Sequence, residues 1–568
     1  MKSFISTKLL ALFLLATLFL FSLFFFQYNI GGEGLFLPRN IIAWLVICFF
    51  ISFTLFKLSL HQQLVLPKYY AGLFALPIAI FLSSFIAGVE QPINWLFRIL
   101  FIIGGISFLL SLFQYNFKEK DVRLILTFIV LSVFFNTLIS ASQIHFPELI
   151  LDFFPSANQG RPAGMFQQIN TNASYSATGI LISLYLLSRP SKTFCFNWTT
   201  ALYILTIGLA SYTIMLSASR VGILSVSVGF LVIVIARWPQ LYRRKWITSI
   251  VILAFIGGGY LGNGKSELLT EKIGTTLDPY SSARMGIYTA SVELIKESPL
   301  TGYGIGSFKR VFVEKRGNYL SLHPQSGLSK ISIINHPHNE FLFWMIEGGV
   351  ITFIGIITSA IIIVLALIST GWSRGISYSA LLLPISLHTQ VELPFYLSAL
   401  HWFLFLILLF IILRHNTITR NLGISRIFSQ GLKISAVFIS IISSVFLVNS
   451  LNVNQDIVSY QKGTTGNVHV LTNALHNIYF NDYAERSIMA MSGVSSIAYN
   501  ETEKVKVFSE WAESYLLLHP DYVIQEFLVN SYNYLGEAEK ACISLNRGLF
   551  LYPQNKKLLE LNRELKCS

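Results

Sequence analysis

Long apolar runs separated by short polar loops dominate the first three quarters of the chain. Each run holds about 17 to 25 mainly apolar residues, the length that a helix needs to cross about 30 Å of hydrocarbon. The pattern predicts an all-α polytopic membrane protein with about 13 transmembrane helices. The predicted spans are 9–26, 40–56, 69–87, 95–113, 124–143, 173–188, 199–216, 221–236, 247–261, 341–367, 376–392, 397–413 and 434–449.

Lysine and arginine are concentrated in alternate loops, with clusters at 118–123, 237–245 and 414–433. The positive-inside rule predicts that these loops are cytoplasmic. The opposite loops hold few basic residues, chiefly Arg39, Arg98, Arg161 and Arg220. These loops are therefore predicted to face outward. Because the number of predicted spans is odd, the C-terminal tail is predicted to lie on this outward side too. We expect a multi-pass protein of a bacterial inner membrane with a periplasmic tail.

Two outward regions are long enough to have structure of their own, a loop at about 262–340 and a tail at 450–568. We therefore divide the chain into a transmembrane domain, 1–449, which includes the large periplasmic loop, and a periplasmic helical domain, 450–568. Within the tail, Leu518–Pro520 and Leu551–Pro553 end two segments alike, at a spacing close to a tetratricopeptide (TPR) repeat. The tail is predicted to be a TPR-like domain, with a helical bundle without repeats as the alternative.

Composition and charge narrow the possible partners. The chain is 53% hydrophobic and only 12% charged, so the lipid bilayer is its main solvent. Its formal charge of +13 is distributed as topology signals are, which argues against nucleic acid as a partner. Cys48 and Cys195 are interpreted as structural. Cys542 and Cys567 lie in the tail and can pair if it is periplasmic.

Histidine and carboxylate side chains cluster where the outward loop meets the next predicted span. His336, His338 and Glu340 lie within a stretch of five residues there. Ionisable side chains cost free energy beside a membrane boundary, so their presence there indicates a function. The histidines are two residues apart and no cysteine is near, which disfavours a zinc site. A histidine that caps the following helix is the structural alternative, and a general base is the functional one.

The spacing around His338 resembles a known signature. Asn339 follows it, and Gly349 and Thr352 come further along. This order is similar to the His-Asn motif in the large outward loop of O-antigen ligases and protein O-oligosaccharyltransferases, members of the O-antigen ligase/polymerase superfamily. The resemblance implies that His338 is catalytic and that Asn339 and Glu340 support it.

A second segment, Gly164–Ala173, resembles the Gly-x-x-x-Gln-x-Asn-x-x-Ala segment of the same superfamily. It opens a predicted span at the outward face. The resemblance gives Gln168 the role of the family's functional glutamine, with Asn170 beside it. Ile169 stands where many members have proline, so the local turn is left open.

Two arginine segments also match. Ser217–Gly222 resembles the family's Ser-Arg-x-Gly and contains Arg220, while Arg284 precedes Pro299–Phe308, which resembles Pro-Leu-x-Gly-x-Gly-x-x-x-Phe. We interpret these glycines as turn formers, because no strand-to-helix unit surrounds them. The resemblance implies a donor that carries a diphosphate. Because arginine binds phosphate oxygens bidentately, Arg220 and Arg284, with Arg161 as a third candidate, are predicted to hold that diphosphate.

Finally, Glu392-Leu393-Pro394 followed by Tyr396 resembles an element of the protein O-glycosylating, PglL-type branch. The resemblance implies a functional role for Tyr396 and a supporting one for Glu392. Glu340, Glu347 and Glu392 all stay open as the carboxylate that orients the histidine.

Together the motifs imply a glycosyltransferase that uses a glycan on a polyprenyl diphosphate and needs no cofactor. We expect a protein O-oligosaccharyltransferase whose partners are the lipid-linked donor and an exported, pilin-like acceptor protein. An O-antigen ligase acting on lipid A-core is the first alternative, followed by an O-antigen polymerase. A polysaccharide flippase is disfavoured, because polar residues crowd the outer ends of the spans rather than a path through mid-bilayer.

Overall fold

A computed structural model describes most of the chain, namely residues 7–61, 63–150, 153–189, 196–265, 283–331, 333–423, 425–463 and 468–567. Across these ranges helices predominate, and the strands form a single two-stranded ribbon. The helices are α1 (Thr7–Thr17), α2 (Pro38–His61), α3 (Ala75–Ala87), α4 (Pro92–Phe113), α5 (Glu119–His145), α6 (Ile169–Leu187), α7 (Trp198–Ser217), α8 (Arg220–Ala236), α9 (Trp238–Tyr242), α10 (Lys245–Leu261), α11 (Ala283–Glu297), α12 (Phe308–Leu322), α13 (Glu340–Ser369), α14 (Trp372–His388), α15 (Pro394–Leu397), α16 (Ala399–Leu413), α17 (Arg426–Gln461), α18 (Thr472–His476), α19 (Asn481–Ala498), α20 (Thr502–Leu518), α21 (Tyr522–Tyr534), α22 (Ala538–Leu551) and α23 (Lys556–Leu565).

Every predicted span overlaps a helix. Among the described residues, seven helices are long and apolar enough to cross a membrane, and four shorter apolar helices accompany them. The chain is therefore an all-α membrane protein, while the count of thirteen spans stays a prediction. The seven are Pro38–His61, Tyr70–Ala87, Pro92–Phe113, Glu119–His145, Trp198–Ser217, Glu340–Ser369 and Arg426–Gln461.

By internal packing the chain forms two compact units. Unit 1 comprises 1–75, 101–271 and 357–454, and unit 2 comprises 76–100, 272–356 and 455–568. Most of the loop at 262–340 and most of the tail therefore belong to unit 2. The predicted boundary between a transmembrane domain, 1–449, and a periplasmic helical domain, 450–568, stays a prediction.

Helix α6 forms the centre of unit 1, where it packs against α5, α7, α8 and α14. Small residues allow the close approach: a Cβ added at Gly222 of α8 would lie 2.7 Å from the Cβ of Ala173. Nearly every residue of α6 is buried, including Ser174 and Thr178. A helix surrounded by protein can carry such hydroxyl groups without exposing them to lipid.

A two-stranded ribbon joins distant parts of unit 1. Strand β1 (Gln63–Pro67) pairs antiparallel with β2 (Thr417–Asn421), with Gln63 opposite Asn421. Lys57 and Lys68 flank β1, and β2 lies in the basic cluster at 414–433, so the positive-inside rule predicts a cytoplasmic location for both strands.

In unit 2 the successive tail helices α19 to α23 each pack on the next. Helix α12 of the outward loop packs against α22 of the tail. The buried guanidinium of Arg316 donates to the carbonyl of Leu551 at 2.6 Å, and Gly317 lies against Phe550. Sequential packing of helices suits the predicted TPR-like arrangement, which stays a prediction.

Cys542 and Cys567 form a disulfide that ties α22 to the end of the chain. The sequence left open whether these two cysteines pair, and the structure shows the bond. Cys48 is a free thiol, and Cys195 lies outside the described residues.

Loss of this disulfide should weaken the tail. Because the bond closes a loop with a sequence separation of 25, we expect Cys542→Ser to lower the free energy of unfolding of the tail by about 3 kcal/mol. Limited proteolysis of the full chain measures this as faster cleavage between α22 and the C-terminus. Cys48→Ser is the control and should leave the cleavage rate unchanged. Equal resistance of Cys542→Ser and wild type would contradict the expectation.

Candidate functional site

Gln168 caps the start of α6. Its backbone is extended, and its side-chain oxygen accepts the backbone N–H of Thr171 at 2.5 Å. The preceding residue, Gln167, is left-handed with φ 59°, after a short 3₁₀ turn at Gly164–Phe166. The turn that the sequence left open at Ile169 is thus formed by a left-handed glutamine and needs no proline.

Two side chains of helix α5 hold this turn in place by hydrogen bonds. The side-chain oxygen of Gln143 accepts the N–H groups of Ala163 at 3.0 Å and Gly164 at 2.8 Å. The side-chain oxygen of Asn136 accepts the N–H of Met165 at 2.9 Å. Three backbone donors are therefore fixed by two buried amide side chains, which sets the position of Gln168.

The position of Gly164 accepts only glycine. Its φ is +54°, and an added Cβ would lie 2.5 Å from the side-chain oxygen of Asn172. We expect Gly164→Ala to displace Gln168, lower the glycan-transfer activity that the sequence predicts at least about tenfold and cost about 1–3 kcal/mol of stability. A transfer assay and thermal unfolding in detergent measure both effects.

Gly257→Ala in α10 is the matched control. A Cβ there meets no atom within 4 Å, and alanine favours the helix by roughly 0.5–1 kcal/mol. Gly257→Ala should therefore retain full activity and stability. Wild-type activity in Gly164→Ala would show that this turn does not contribute to the functional site.

The N-terminal ends of α6 and α8 lie side by side. The hydroxyl of Ser219 donates to the side-chain oxygen of Asn170 at 2.9 Å, and Ser219 also caps α8, whose first residue is Arg220. Helix N-termini carry partial positive charge and favour phosphate groups. Unit 1 therefore brings Gln168, Asn170 and Arg220 to one electropositive edge.

Arg161 belongs to the same part of unit 1. Its guanidinium donates to the carbonyl of Ser217 at 3.3 Å and to the side-chain oxygen of Gln159 at 3.2 Å. Partial burial lowers the pKa of this guanidinium. The bond to Ser217 holds Arg161 beside the α7–α8 junction that presents Arg220.

Arg39 is a residue whose role sequence reasoning missed. It is only 6% exposed, and its guanidinium donates to the side chain of Gln167 at 2.9 Å and to the carbonyl of Phe166 at 2.8 Å. A third, longer bond of 3.4 Å reaches the carbonyl of Leu397. Arg39 thereby joins the Gln168 turn to the element that contains Tyr396. The sequence offered one signal for this role, because Arg39 is among the few arginines in loops that are predicted to face outward.

Tyr396 lies in the short helix α15, and its ring stacks on Phe101 with centroids 6.0 Å apart. The backbone N–H of Glu392 donates to the carbonyl of His388 at 3.0 Å. Both predicted residues thus lie in one turn between α14 and α16.

A buried histidine network anchors this turn and was also missed from the sequence. The hydroxyl of Ser174 lies 2.8 Å from Nδ1 of His388 and 3.2 Å from Nε2 of His401, and all three residues are fully buried. Because Ser174 belongs to α6, the network couples the helix that starts after Gln168 to the helices on either side of Tyr396.

Unit 2 holds His338, which has a left-handed backbone with φ 54°. Its N–H donates to Nδ1 of His336 at 3.2 Å, and the two rings are 4.5 Å apart, edge to face. Asn339, rather than a histidine, caps α13 by accepting the N–H of Leu342 at 3.0 Å. Glu340 is buried and accepts the indole N–H of Trp344 at 3.1 Å.

Glu347 has a different partner from the one considered in the sequence. It is fully buried and forms an ion pair with Arg98, whose guanidinium also lies 4.5 Å from the centre of the Phe343 ring. Its carboxylate also accepts the N–H of Phe308 at 3.2 Å. These contacts give a structural role to Arg98, which the sequence predicts to face outward, and they make Glu347 a structural centre of unit 2.

The glycine-rich stretch packs against the start of α13. Gly302, Gly304 and Gly306 all have positive φ, which confirms that they form turns. Gly349 breaks the regularity of α13 with φ 63°, and next to it the N–H of Val350 donates to the carbonyl of Pro299 at 2.8 Å. The loop after Pro299 is thereby held on the segment that follows His338.

Arg284 lies in the first turn of α11 and is half-buried. This helix packs against the turn at Gly327–Lys330, with Gly286 facing Leu328. Unit 1 thus holds Gln168, Asn170, Arg161, Arg220, Glu392 and Tyr396, and unit 2 holds Arg284, His338, Asn339 and Glu340. A meeting of His338 with Arg220 stays a prediction.

Two family models match the chain. Residues 205–357 match the model described as O-antigen ligase, and residues 376–565 match the model described as virulence factor membrane-bound polymerase, C-terminal. These matches support the O-antigen ligase/polymerase superfamily. They indicate an enzyme that transfers glycans in a membrane, with a lipid-linked donor. No curated protein matches the chain.

Proposed function

We propose that the protein is an O-linked oligosaccharyltransferase that moves a preassembled glycan from undecaprenyl diphosphate to serine or threonine of exported proteins. The observation that carries the proposal is the pair of family matches, which run over Arg220, Arg284 and His338 and then over Glu392 and Tyr396. The motifs that resemble the superfamily therefore fall largely inside the regions its family models match.

The donor's diphosphate is both its binding handle and its leaving group. Arg220 and Arg284 bind its oxygens through planar, permanently charged guanidinium groups, and Arg161 adds a third. The adjoining N-termini of α6 and α8 favour the same negative charge. Since a diphosphate leaves readily once this charge is stabilised, the reaction requires no cofactor.

His338 activates the acceptor. Its neutral imidazole takes the proton of the acceptor hydroxyl as the oxygen attacks the anomeric carbon. The bond between that carbon and the diphosphate oxygen breaks with its electron pair going to the diphosphate, and the anomeric configuration inverts. Gln168 and Tyr396 orient the sugar and acceptor by hydrogen bonds. Glu392 and Glu340 support the histidine.

Two features favour exported protein as the acceptor. The Glu392 to Tyr396 element resembles the protein O-glycosylating branch, and the tail forms a helical module packed on α12 of the outward loop. The disulfide between Cys542 and Cys567 suits an oxidising compartment, which supports a periplasmic tail on a bacterial inner-membrane protein.

The second candidate is an O-antigen ligase that transfers the glycan to lipid A-core. The description of the first matching family, O-antigen ligase, favours it, and the same arginines and histidine would serve. Only the acceptor differs between the two candidates, so acceptor identity separates them.

Cells with and without the gene provide the test. Mass spectrometry of exported proteins detects glycan on protein, and a lipopolysaccharide gel from the same cells detects glycan on lipid A-core. We expect glycopeptides to vanish without the gene and to return with the wild-type gene, while lipopolysaccharide is unchanged. Loss of long lipopolysaccharide with intact glycopeptides would identify a ligase instead. Collapse of the ladder to a single repeat would identify a polymerase.

A further inference from the structure

A cavity of about 820 Å³ lies within unit 1 beneath the β1–β2 ribbon. Gln63 and Val65 of β1 and Thr417 and Thr419 of β2 line it. Because alternate side chains of a strand point to opposite faces, one face of the ribbon forms the roof of the cavity. Its volume falls within the range typical of ligand sites, about 300–1,000 Å³.

The walls combine polar and apolar groups at the ends of helices. Lys57 and His61 come from the last turns of α2, while Phe113 ends α4 and Phe410 lies in the last turn of α16. The adjacent loops carry the basic residues that predict the cytoplasmic face. By this prediction the cavity lies at the depth of lipid headgroups.

The cavity is basic. Lys57 and Arg414 line it, and no aspartate or glutamate of the described residues does. The ammonium of Lys57 donates to the carbonyl of Gln114 and lies 4.6 Å from the centre of the Tyr115 ring. An ammonium carries three donors, so Lys57 keeps capacity for an anion.

Arg414 donates to the carbonyl of Phe117 at 3.1 Å and forms an ion pair with Glu119. Glu119 is also paired with Arg189, so one carboxylate serves two guanidinium groups and positive charge is left over. Cations at helix C-termini stabilise the helix ends by themselves. That role alone does not call for a cavity of this size.

His415 completes the polar wall without adding charge. Burial, reinforced by the cations of Arg414 and Arg374, lowers the pKa of its imidazole to about 4. The ring is therefore neutral near pH 7, with Nε2 3.3 Å from the hydroxyl of Tyr378. It offers a hydrogen bond rather than a third positive charge.

We propose that this cavity binds a phosphate group, that of an acidic phospholipid headgroup, between Lys57 and Arg414. Phe113 and Phe410 supply the apolar wall along which the lipid's glycerol and acyl chain lie. The site is separate from the proposed transfer reaction, since it is built from the opposite, basic set of loops.

The test uses the full chain purified in detergent, exchanged into phosphatidylglycerol or phosphatidylcholine and examined by native mass spectrometry. Wild type should retain phosphatidylglycerol in preference to phosphatidylcholine. The double variant Lys57→Gln, Arg414→Gln should bind it about 30-fold more weakly, since each cation contributes about 1 kcal/mol. Arg420→Gln is the matched control, because Arg420 follows Thr419 on the strand and instead lies 5.6 Å from the Tyr70 ring.

A second variant removes space rather than charge. Thr419→Trp fills the cavity from the ribbon and should also abolish retention of phosphatidylglycerol. This variant therefore tests lipid binding in the cavity even if the double variant folds poorly. Displacement of the lipid by millimolar inorganic phosphate would show that a soluble phosphate can be the ligand. Equal retention of both lipids by wild type, or unchanged retention in Thr419→Trp, would overturn the proposal.

Discussion

Replacing His338 with alanine should lower the rate of glycan transfer at least about 100-fold. A positioned general base typically contributes about 10²–10⁴-fold, and no acceptor hydroxyl is deprotonated efficiently without one. Binding of the lipid-linked donor should stay nearly unchanged, since the diphosphate contacts are assigned to arginines. Transfer by the purified chain, with kcat and KM determined separately, measures the effect.

Two variants control for folding and for shape. His323→Ala removes an exposed histidine from the same outward region and should transfer at the wild-type rate. His338→Gln retains hydrogen bonding but not basicity and should be as inactive as alanine. Normal transfer by His338→Ala would remove this histidine from the mechanism.

Replacing Glu347 with alanine should destabilise unit 2 by about 3–5 kcal/mol. The substitution leaves the Arg98 guanidinium without its carboxylate partner in a largely buried place and removes an acceptor from the N–H of Phe308. The glycine-rich loop and the start of α13 would loosen together, so transfer should fall as well. Denaturant unfolding in detergent measures the stability loss.

A surface ion pair supplies the contrast. Glu314 pairs with Arg547 in the same unit, but both side chains are more than one third exposed, and such pairs contribute about 1 kcal/mol or less. Glu314→Gln should therefore be nearly silent. Replacing both partners of the ion pair, Arg98→Met with Glu347→Leu, should recover much of the stability lost in Glu347→Ala. A silent Glu347→Ala would show that the pair is not structural.

The helices could be predicted from the sequence because hydrophobic length is a local signal. Each apolar run overlaps a helix, from α1 through α17, and the apolar content alone selects a membrane class. Local patterns also identified the turn-forming glycines of the loop after Pro299. The pairing of Cys542 with Cys567 stayed open, because it depended on the compartment of the tail.

Contacts between distant segments could not be predicted in this way. Nothing in Gln63–Pro67 indicates that its partner is Thr417–Asn421, more than 300 residues later. Arg39 and Arg98 stood out as outward arginines, but their partners, Gln167 and Glu347, follow only from the fold. The site residues themselves were proposed from motif resemblance, because side-chain chemistry alone left helix capping and catalysis open for His338.

We expect that this chain by itself transfers a lipid-linked glycan to protein. The most direct test mixes the purified chain in detergent with a polyprenyl diphosphate glycan and, in parallel reactions, an exported acceptor protein or lipid A-core. No compartment exists there, so a flippase would yield no product. We expect glycosylated protein, free polyprenyl diphosphate and no modified lipid A-core. Product on lipid A-core alone, or no product with either acceptor, would contradict the proposed transfer to protein.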